Sequence, residues 1–324
     1  MITVIGSLNY DFVTYTDKVP HAGETVLANA FETHLGGKGL NEALACARLR
    51  SSEQIPVRMV GNVGSDLFGS ELKQALVVAG VDVSHVSTLD GVSSGLATIL
   101  IEASGENRIL IVAGANGRLK PSADDYERIF PSDATATPHF VVLQNEYPYT
   151  FESVRWLKTH RLDINIAYNP SPFRAELITA ENLAMIDLLI LNEGEALEIT
   201  EALLGGAPSS SGTDYFSSVA SRLQKMLCQA NCSSVVVTLG SKGSVFADKF
   251  SHDVLFVPAV KVEHVVDTTG AGDTFFGALV VQLTSGTTLK DAILFATVAS
   301  SLSIQKKGAA ESIPKYEEMQ VAGR

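Results

Sequence analysis

VVDTTGAGDTFFGALVVQL, Val265 to Leu283, is the stretch on which the reading of this chain turns. Two aspartates, Asp267 and Asp273, bracket a threonine-glycine turn, and an apolar helical run follows at once. Extended chain, a glycine turn and a helix start is the kind of connection that faces the ligand crevice of an open α/β sheet, beyond the carboxyl ends of its strands. Glycines let backbone amides come close to an anion. The helix start adds about half a positive charge and unpaired N–H donors. The amides of the stretch Asp267–Asp273 therefore suit a phosphate. A carboxylate beside that phosphate is repulsive, and a general base aimed at a hydroxyl nucleophile removes the conflict. The competing reading of Asp273 is a side chain that merely complements the helix dipole in its first turn.

Outward from this turn, the chain alternates strand and helix. Phe140–Gln144, Ile164–Tyr168, Asp187–Leu191 and Ser234–Thr238 are β-branched or leucine-rich runs. Helical patterns over Phe151–Thr159, Glu193–Leu204 and Tyr215–Ala230 separate them, and Gly272–Leu283 and Leu289–Ile304 follow as two more. Toward the N-terminus, strands are expected at Ile2–Gly6 and Val57–Val60, with helices at Gly39–Leu49 and Asp66–Ala79. Apolar strands spaced by helices predict a mostly parallel central sheet flanked by helices on both faces. Two regions break the alternation. Asp11–Val19 with Thr25–Leu35, and Ser94–Glu102 with Arg108–Ala113, read as extended chain, the second pair joined by a hairpin at Ala103–Asn107. They predict a small discontinuous β-sheet lid, from about 11–35 and 94–113, on one domain spanning residues 1–324. Gly205–Gly212 reads as a surface loop.

Composition excludes several classes. The 324 residues are 46% hydrophobic and 19% charged, with a formal net charge of −12. An acidic chain of this kind is a poor general binder of nucleic acid or anionic membrane. No apolar run approaches the ~20 residues of a membrane span, and Met1–Val4 lacks a basic leader. Three cysteines, Cys46, Cys228 and Cys232, are too few for a disulfide scaffold. A reducing compartment, the cytoplasm with the nucleus open to it, is expected. Cys228 and Cys232 could face one another on a helix, yet two thiols make a poor zinc site, so they read as packing residues. Gly36-Gly37-Lys38-Gly39 lacks the spacing of a P-loop, and Gly6-Ser7-Leu8-Asn9 is no dinucleotide fingerprint.

The turn resembles the C-terminal signature of the PfkB (ribokinase-like) family of sugar and nucleoside kinases. Leu35-Gly36-Gly37-Lys38-Gly39-Leu40-Asn41 is similar to that family's N-terminal signature, and Val60-Gly61-Asn62-Val63-Gly64-Ser65-Asp66-Leu67-Phe68-Gly69 to a segment between them. The resemblance runs in order from residue 2 to about residue 315. It implies an α/β body with a β-lid, ATP as phosphoryl donor, and Asp273 as the base. Asn9-Tyr10-Asp11 and Gly37–Asn41 resemble the members that phosphorylate D-ribose at its 5-hydroxyl. By that likeness Asn9, Asp11, Gly37, Lys38, Asn41 and Glu146 would hold the sugar together with Asp273. Gly270–Asp273 would form the anion hole. Asn192 and Glu195 would organise Mg2+ through water, a charged helix start being the alternative. Asn192, Thr238, Gly240, Gly243, Gly272 and Thr297 would line the ATP site. Asp267, Thr269, Ser303, Lys306, Gly308 and Ser312 would surround an activating K+, most of them through main-chain carbonyls. Pairing of two copies through the lid is a further implication. The alternatives left open are another acceptor (deoxyribose, fructose, adenosine) and a catalytically silent sugar-binding regulator.

Overall fold

The short apolar runs become strands because both of their faces are covered. In the computed structural model, which describes residues 1–104, 106–131, 138–205, 212–230, 232–250 and 253–322, the strands are β1 (Ile2–Ile5), β2 (Asn9–Thr16), β3 (Ala30–Gly36), β4 (Val57–Gly64), β5 (Asp82–Leu89), β6 (Gly95–Glu102), β7 (Asn107–Val112), β8 (His139–Leu143), β9 (Ile164–Tyr168), β10 (Leu188–Asn192), β11 (Ser234–Thr238), β12 (Gly243–Asp248) and β13 (Leu255–Pro258). The α-helices are α1 (Lys38–Leu49), α2 (Leu67–Val78), α3 (Ala123–Ile129), α4 (Thr150–His160), α5 (Ala180–Leu183), α6 (Glu193–Ile199), α7 (Thr213–Gln224), α8 (Ala271–Thr284), α9 (Leu289–Ser303) and α10 (Tyr316–Ala322). Nine strands form the main sheet in the order β13-β12-β11-β10-β9-β8-β1-β4-β5. Pairing is parallel from β5 to β11. It turns antiparallel at β12 and β13.

The two-residue period of the strands sorts the core into two layers. Ile2, Val4, Val142, Leu188 and Ile190 join α1, α8 and α9 through Leu40, Leu44, Phe276, Leu279 and Ile293. Their neighbours Ile5, Val141, Leu143, Leu189 and Leu191 face the other way, onto Phe151, Val154, Ile199, Phe216 and Leu223 of α4, α6 and α7. Fully burying a large aliphatic or aromatic side chain stabilises by about 1.5–3 kcal/mol, so these layers carry the fold. α8 is apolar nearly all round because it is sandwiched between α1 and α9.

The second sheet is the expected lid, with strand order β3-β2-β6-β7. Its central pair, β2 and β6, is parallel. The expectation overran in places. Residues 17–29 contain no strand: the apolar residues of Thr25–Asn29 find nothing to pack on, Val26 being only half-buried and Leu27 and Ala28 exposed. The helix expected over Tyr215–Ala230 ends at Gln224: Cys228 N donates to Ile186 O, and the Gln229 amide donates to the carbonyls of Gln224 and Leu227. Cys228 and Cys232 are thus not on a helix, and Cys232 Sγ instead lies 3.1 Å from Asp187 O. The helix expected through Leu204 changes to a π turn at Thr200–Leu204. Strands β5 and β13 had no expectation. Of the loop expected at Gly205–Gly212, residues 206–211 lie outside the described residues, as does Gly105 of the hairpin. Among the described residues no helix is long and apolar enough to cross a membrane.

Candidate active site

The sugar-side residues come from four separate stretches that the sheet brings to its carboxyl edge. β1 ends at Ile5, and the chain crosses over through Ser7 and Leu8 into lid strand β2. Asn9 pairs with Gly36 in the first rung of the lid. Gly36 is required there, since a Cβ would sit 2.2 Å from Asp11 Oδ2. α1 then starts at Lys38 and runs back beneath the lid. Its main-chain amide donates to Glu146 Oε2 at 2.8 Å, and the Ser7 hydroxyl donates to the same oxygen. Asn41 Nδ2 donates to Asp273 Oδ2 at 2.8 Å, and Lys38 Nζ lies 3.4 Å from Oδ1. Asp273 is 8% exposed and Asn41 4%. A carboxylate so enclosed survives only because an ammonium and an amide satisfy it.

The electrostatics follow from this crowding of acids. Burial and then Glu146 push the Asp11 carboxyl up to about 7, against the opposing pull of His34. Burial works against the Lys38 ammonium, but Asp273 and then Glu146 outweigh it and raise its pKa.

Asn9, Asp11, Gly37, Lys38, Asn41, Glu146 and Asp273, the set the sequence reading named for a sugar, thus lie together at this edge of the sheet. That reading missed Asn116, whose Nδ2 donates to Asn9 Oδ1 at 2.8 Å and whose Oδ1 accepts from Leu8 N at 2.9 Å. It is buried just past the lid in Gly114-Ala115-Asn116-Gly117. Nothing local marks it, because its partners lie more than a hundred residues away. Ser7, Glu42 and Gln144 were missed for the same reason.

The phosphate turn is a helix start built on Gly270. That residue caps α8 with φ 72°, a left-handed conformation that disfavours any Cβ, and a Cβ there would also meet Ala309 Cβ at 2.8 Å. Ala271 N donates to Thr268 O at 3.2 Å, and Thr274 N to Gly270 O at 2.8 Å. The amides of Gly272 and Asp273 lie in the first helical turn, ahead of any partner four residues back.

Beside them opens a cleft of about 580 Å³. Thr238, Gly240, Gly243, Gly272 and Thr297 line it, along with the unanticipated Val260, Val262, Val265, Phe275 and Ile304. The Thr297 hydroxyl donates to Ile293 O at 2.8 Å, so its polar atom is turned into its own helix. Asn192 does not line this cleft. It caps α6 by accepting from Glu195 N at 2.8 Å, and Glu195 Oε2 accepts from Asn192 N and from Asn169 Nδ2. The pair forms a capping box, in which Glu195 Oε1 takes no part.

The stretches expected around K+ are also brought together. Asp267 Oδ1 accepts from Thr269 N and Oγ1, and Oδ2 from Gly308 N at 3.0 Å. These bonds hold the Asp267 carboxyl below its ordinary pKa although burial opposes them. Ser303 and Ser312 are buried, their hydroxyls donating to Ser300 O and Ala309 O, while Lys306 Nζ points away to Glu318. Among the described residues no group of three His, Cys, Asp or Glu side chains is placed to hold a metal. The same loop reaches the lid, where Glu311 Oε1 accepts from Leu35 N and Lys307 pairs with Glu32.

A nucleotide-sized cleft, a helix start with free amides and a buried carboxylate on a polar pocket define a small-molecule phosphotransferase. Residues 1–316 match the pfkB family of carbohydrate kinases, and the chain belongs to that family. It is 35% identical over 320 residues to a ribokinase of Schizosaccharomyces pombe, covering 98% of this chain and 96% of that protein. It is 37% identical over 322 residues to a ribokinase of Lactococcus lactis, covering 98% and 95%. The structure of Arabidopsis thaliana ribokinase complexed with ribose and ATP superposes with a TM-score of 0.84 at 30% identity, covering 99% of this chain and 97% of the other.

Proposed function

We propose that this chain transfers the γ-phosphoryl group of ATP to the 5-hydroxyl of D-ribose, giving ribose 5-phosphate and ADP. The observation that carries the proposal is Asp273, a buried carboxylate oriented by Asn41 and Lys38 where the polar pocket meets the phosphate turn. D-Ribose would lie among Asn9, Asp11, Gly37, Lys38, Asn41 and Glu146, a set of donors and acceptors suited to a small polyol rather than a stacked base. Asp273 takes the proton of the attacking hydroxyl, whose oxygen bonds to the γ-phosphorus as the bond to ADP breaks. A positioned general base contributes typically ~10²–10⁴-fold. The amides of Gly272 and Asp273, with Gly270 and Ala271 shaping the turn, would bind the equatorial oxygens of the moving phosphoryl group. ATP would occupy the cleft lined by Thr238, Gly240, Gly243 and Thr297, its phosphates directed at Gly272.

Asn192 and Glu195 would hold Mg2+ through water, where the ion neutralises phosphate charge. Asp267 and the main chain around Thr269, Ser303, Lys306, Gly308 and Ser312 would hold K+, which fixes the shape of the turn. We assign residues 1–324 to one kinase domain whose lid closes over the sugar and excludes water. The edge strand β7 exposes Ile109, Leu110, Ile111 and Val112, a surface suited to pairing with a second copy. A reducing cytoplasm suits its three free cysteines.

An ADP-release assay with D-ribose, 2-deoxyribose, fructose and adenosine, each in K+ and in Na+ buffer, tests the proposal. D-Ribose is expected to give the highest kcat/KM, and K+ to exceed Na+. Preference for another acceptor would reassign the substrate, ribose binding without ADP release would make the chain a sensor, and equal rates in both salts would remove the K+ site.

A further inference from the structure

Glu42 lies one residue beyond Asn41 on α1 and is wholly enclosed. Gln144, in the turn that follows β8, donates from Nε2 to Glu42 Oε2. The remaining oxygens of the two side chains, Glu42 Oε1 and Gln144 Oε1, have no hydrogen-bond partner. Each such buried orphan is destabilising, because it has given up its water and gained no partner. Exchanging the oxygen and nitrogen of the Gln144 amide only moves the conflict, because an ionised carboxylate offers acceptors alone. One added proton removes both orphans.

We infer that Glu42 is held as a neutral carboxylic acid, donating from Oε1 to Gln144 Oε1 while Oε2 accepts from Nε2, and that this closed pair positions Asn41 against Asp273. The surroundings agree. Facing Glu42 are Lys38 and Cys46 on its own helix, Asp273 on α8 and Glu146 beyond β8. Burial and then Asp273 push the Glu42 carboxyl well above its ordinary range, and Lys38 and the Gln144 amide pull it back less. An ionised Glu42 would set a second enclosed negative charge beside Asp273. As a neutral acid it leaves the Lys38 ammonium to Asp273 and Glu146.

The pair also sits at a junction. A Cβ on Gly6, where β1 gives way to Ser7, would lie 2.2 Å from Gln144 Oε1 and 2.9 Å from Gly39 Cα. The Gln144 main-chain carbonyl in turn accepts from Thr150 Oγ1 at 2.8 Å. Acid and amide therefore tie α1 to the ends of β1 and β8 directly under the pocket. Glu42 touches no reacting atom and is a positioning residue. That role rests on the kinase reading, whereas its protonation does not.

Infrared difference spectra of the full chain at neutral pH test the protonation. Glu42→Gln should abolish a protonated-carboxyl C=O band that Asp11→Asn leaves in place. Loss of a carboxylate band instead would overturn the inference, whether or not the chain phosphorylates ribose. Kinetics test the positioning. Glu42→Leu should lower kcat roughly tenfold or more with a smaller change in ribose KM, since misplacement away from the chemistry can cost up to ~10²-fold. Glu42→Gln, which can keep both bonds as an amide pair, should restore kcat to within roughly threefold and leave the acid limb of the pH profile in place. A Glu42→Gln enzyme as poor as Glu42→Leu, or one whose acid limb moves, would show that Glu42 acts as a charge. Wild-type kcat in Glu42→Leu would remove the positioning role. Should Glu42→Leu fail to fold by circular dichroism, the spectra and the Glu42→Gln profile decide.

Discussion

The pockets on the two sides of Gly272 are built on opposite plans. On the side proposed for the sugar, the walls are polar side chains, buried or half-buried and drawn from the length of the chain: Asp11, Lys38, Asn41, Glu146 and Asp273. On the nucleotide side the walls are apolar side chains and bare backbone, with Val260, Val262, Val265, Phe275 and Ile304 around Gly240, Gly243 and Gly272. Two of the polar side chains there are occupied, Thr238 Oγ1 donating to Leu191 O and Thr297 Oγ1 to Ile293 O, while Ser241, Lys261 and Thr268 also line the cleft. The difference has a physical cause. A sugar offers only hydroxyls and must be met by oriented donors and acceptors, while a flat base needs an apolar slot and a phosphate chain needs amides. One side should therefore be sensitive to single atoms and the other tolerant of them.

Three measurements would break or sharpen this contrast. The largest effect is expected from Asp273→Asn, which keeps the shape and removes the base. Its kcat should fall by ~10²–10⁴-fold in an ADP-release assay, with a melting temperature close to that of the wild type. A variant that turns over at near the wild-type rate would remove Asp273 from the chemistry. A middle effect attaches to Asp11, whose carboxyl titrates at about 7. Below that pH it is protonated, and as the pH rises through it the group ionises and can accept from two hydroxyls. Ribose KM should consequently fall by up to about tenfold between about pH 6 and about pH 8, and Asp11→Asn should flatten the profile at a higher KM. A KM that rises with pH would assign Asp11 the role of donor. The smallest effect is expected from Thr297→Val in the nucleotide cleft. Since the hydroxyl already bonds within its own helix, ATP KM should shift by less than about threefold. A tenfold loss would show that this hydroxyl turns toward the nucleotide, and the two sides would then be less different than their walls suggest.

The same contrast explains what could be read before the chain was folded. Glycine-rich signatures such as Gly36–Gly39 and Gly270–Gly272 are legible because backbone that must approach an anion or a carboxylate leaves few residues to choose from. Parallel strands were legible because burial on both faces selects continuous apolar runs. Strand β13 was not, because three of its four residues are exposed and no such run is needed. Val260, Val262 and Ile304 were equally silent, since an apolar residue lining a cleft looks like one lining a core. Asn116, Glu42 and Gln144 carry no local signal at all; their partners are supplied by other elements.

By itself the sequence determined the alternation of strands and helices, the lid as an interruption of it, and the turn in which amides and a carboxylate share one helix start. These are local properties, set by side-chain period and by where glycine is needed. Only the tertiary structure decided that Asn41 and Lys38 orient Asp273 and that Glu146 gathers Ser7 and the start of α1. Hydrogen bonds and charge pairs between residues a hundred or more positions apart depend on distances of a few tenths of an ångström, which packing fixes and chain order does not.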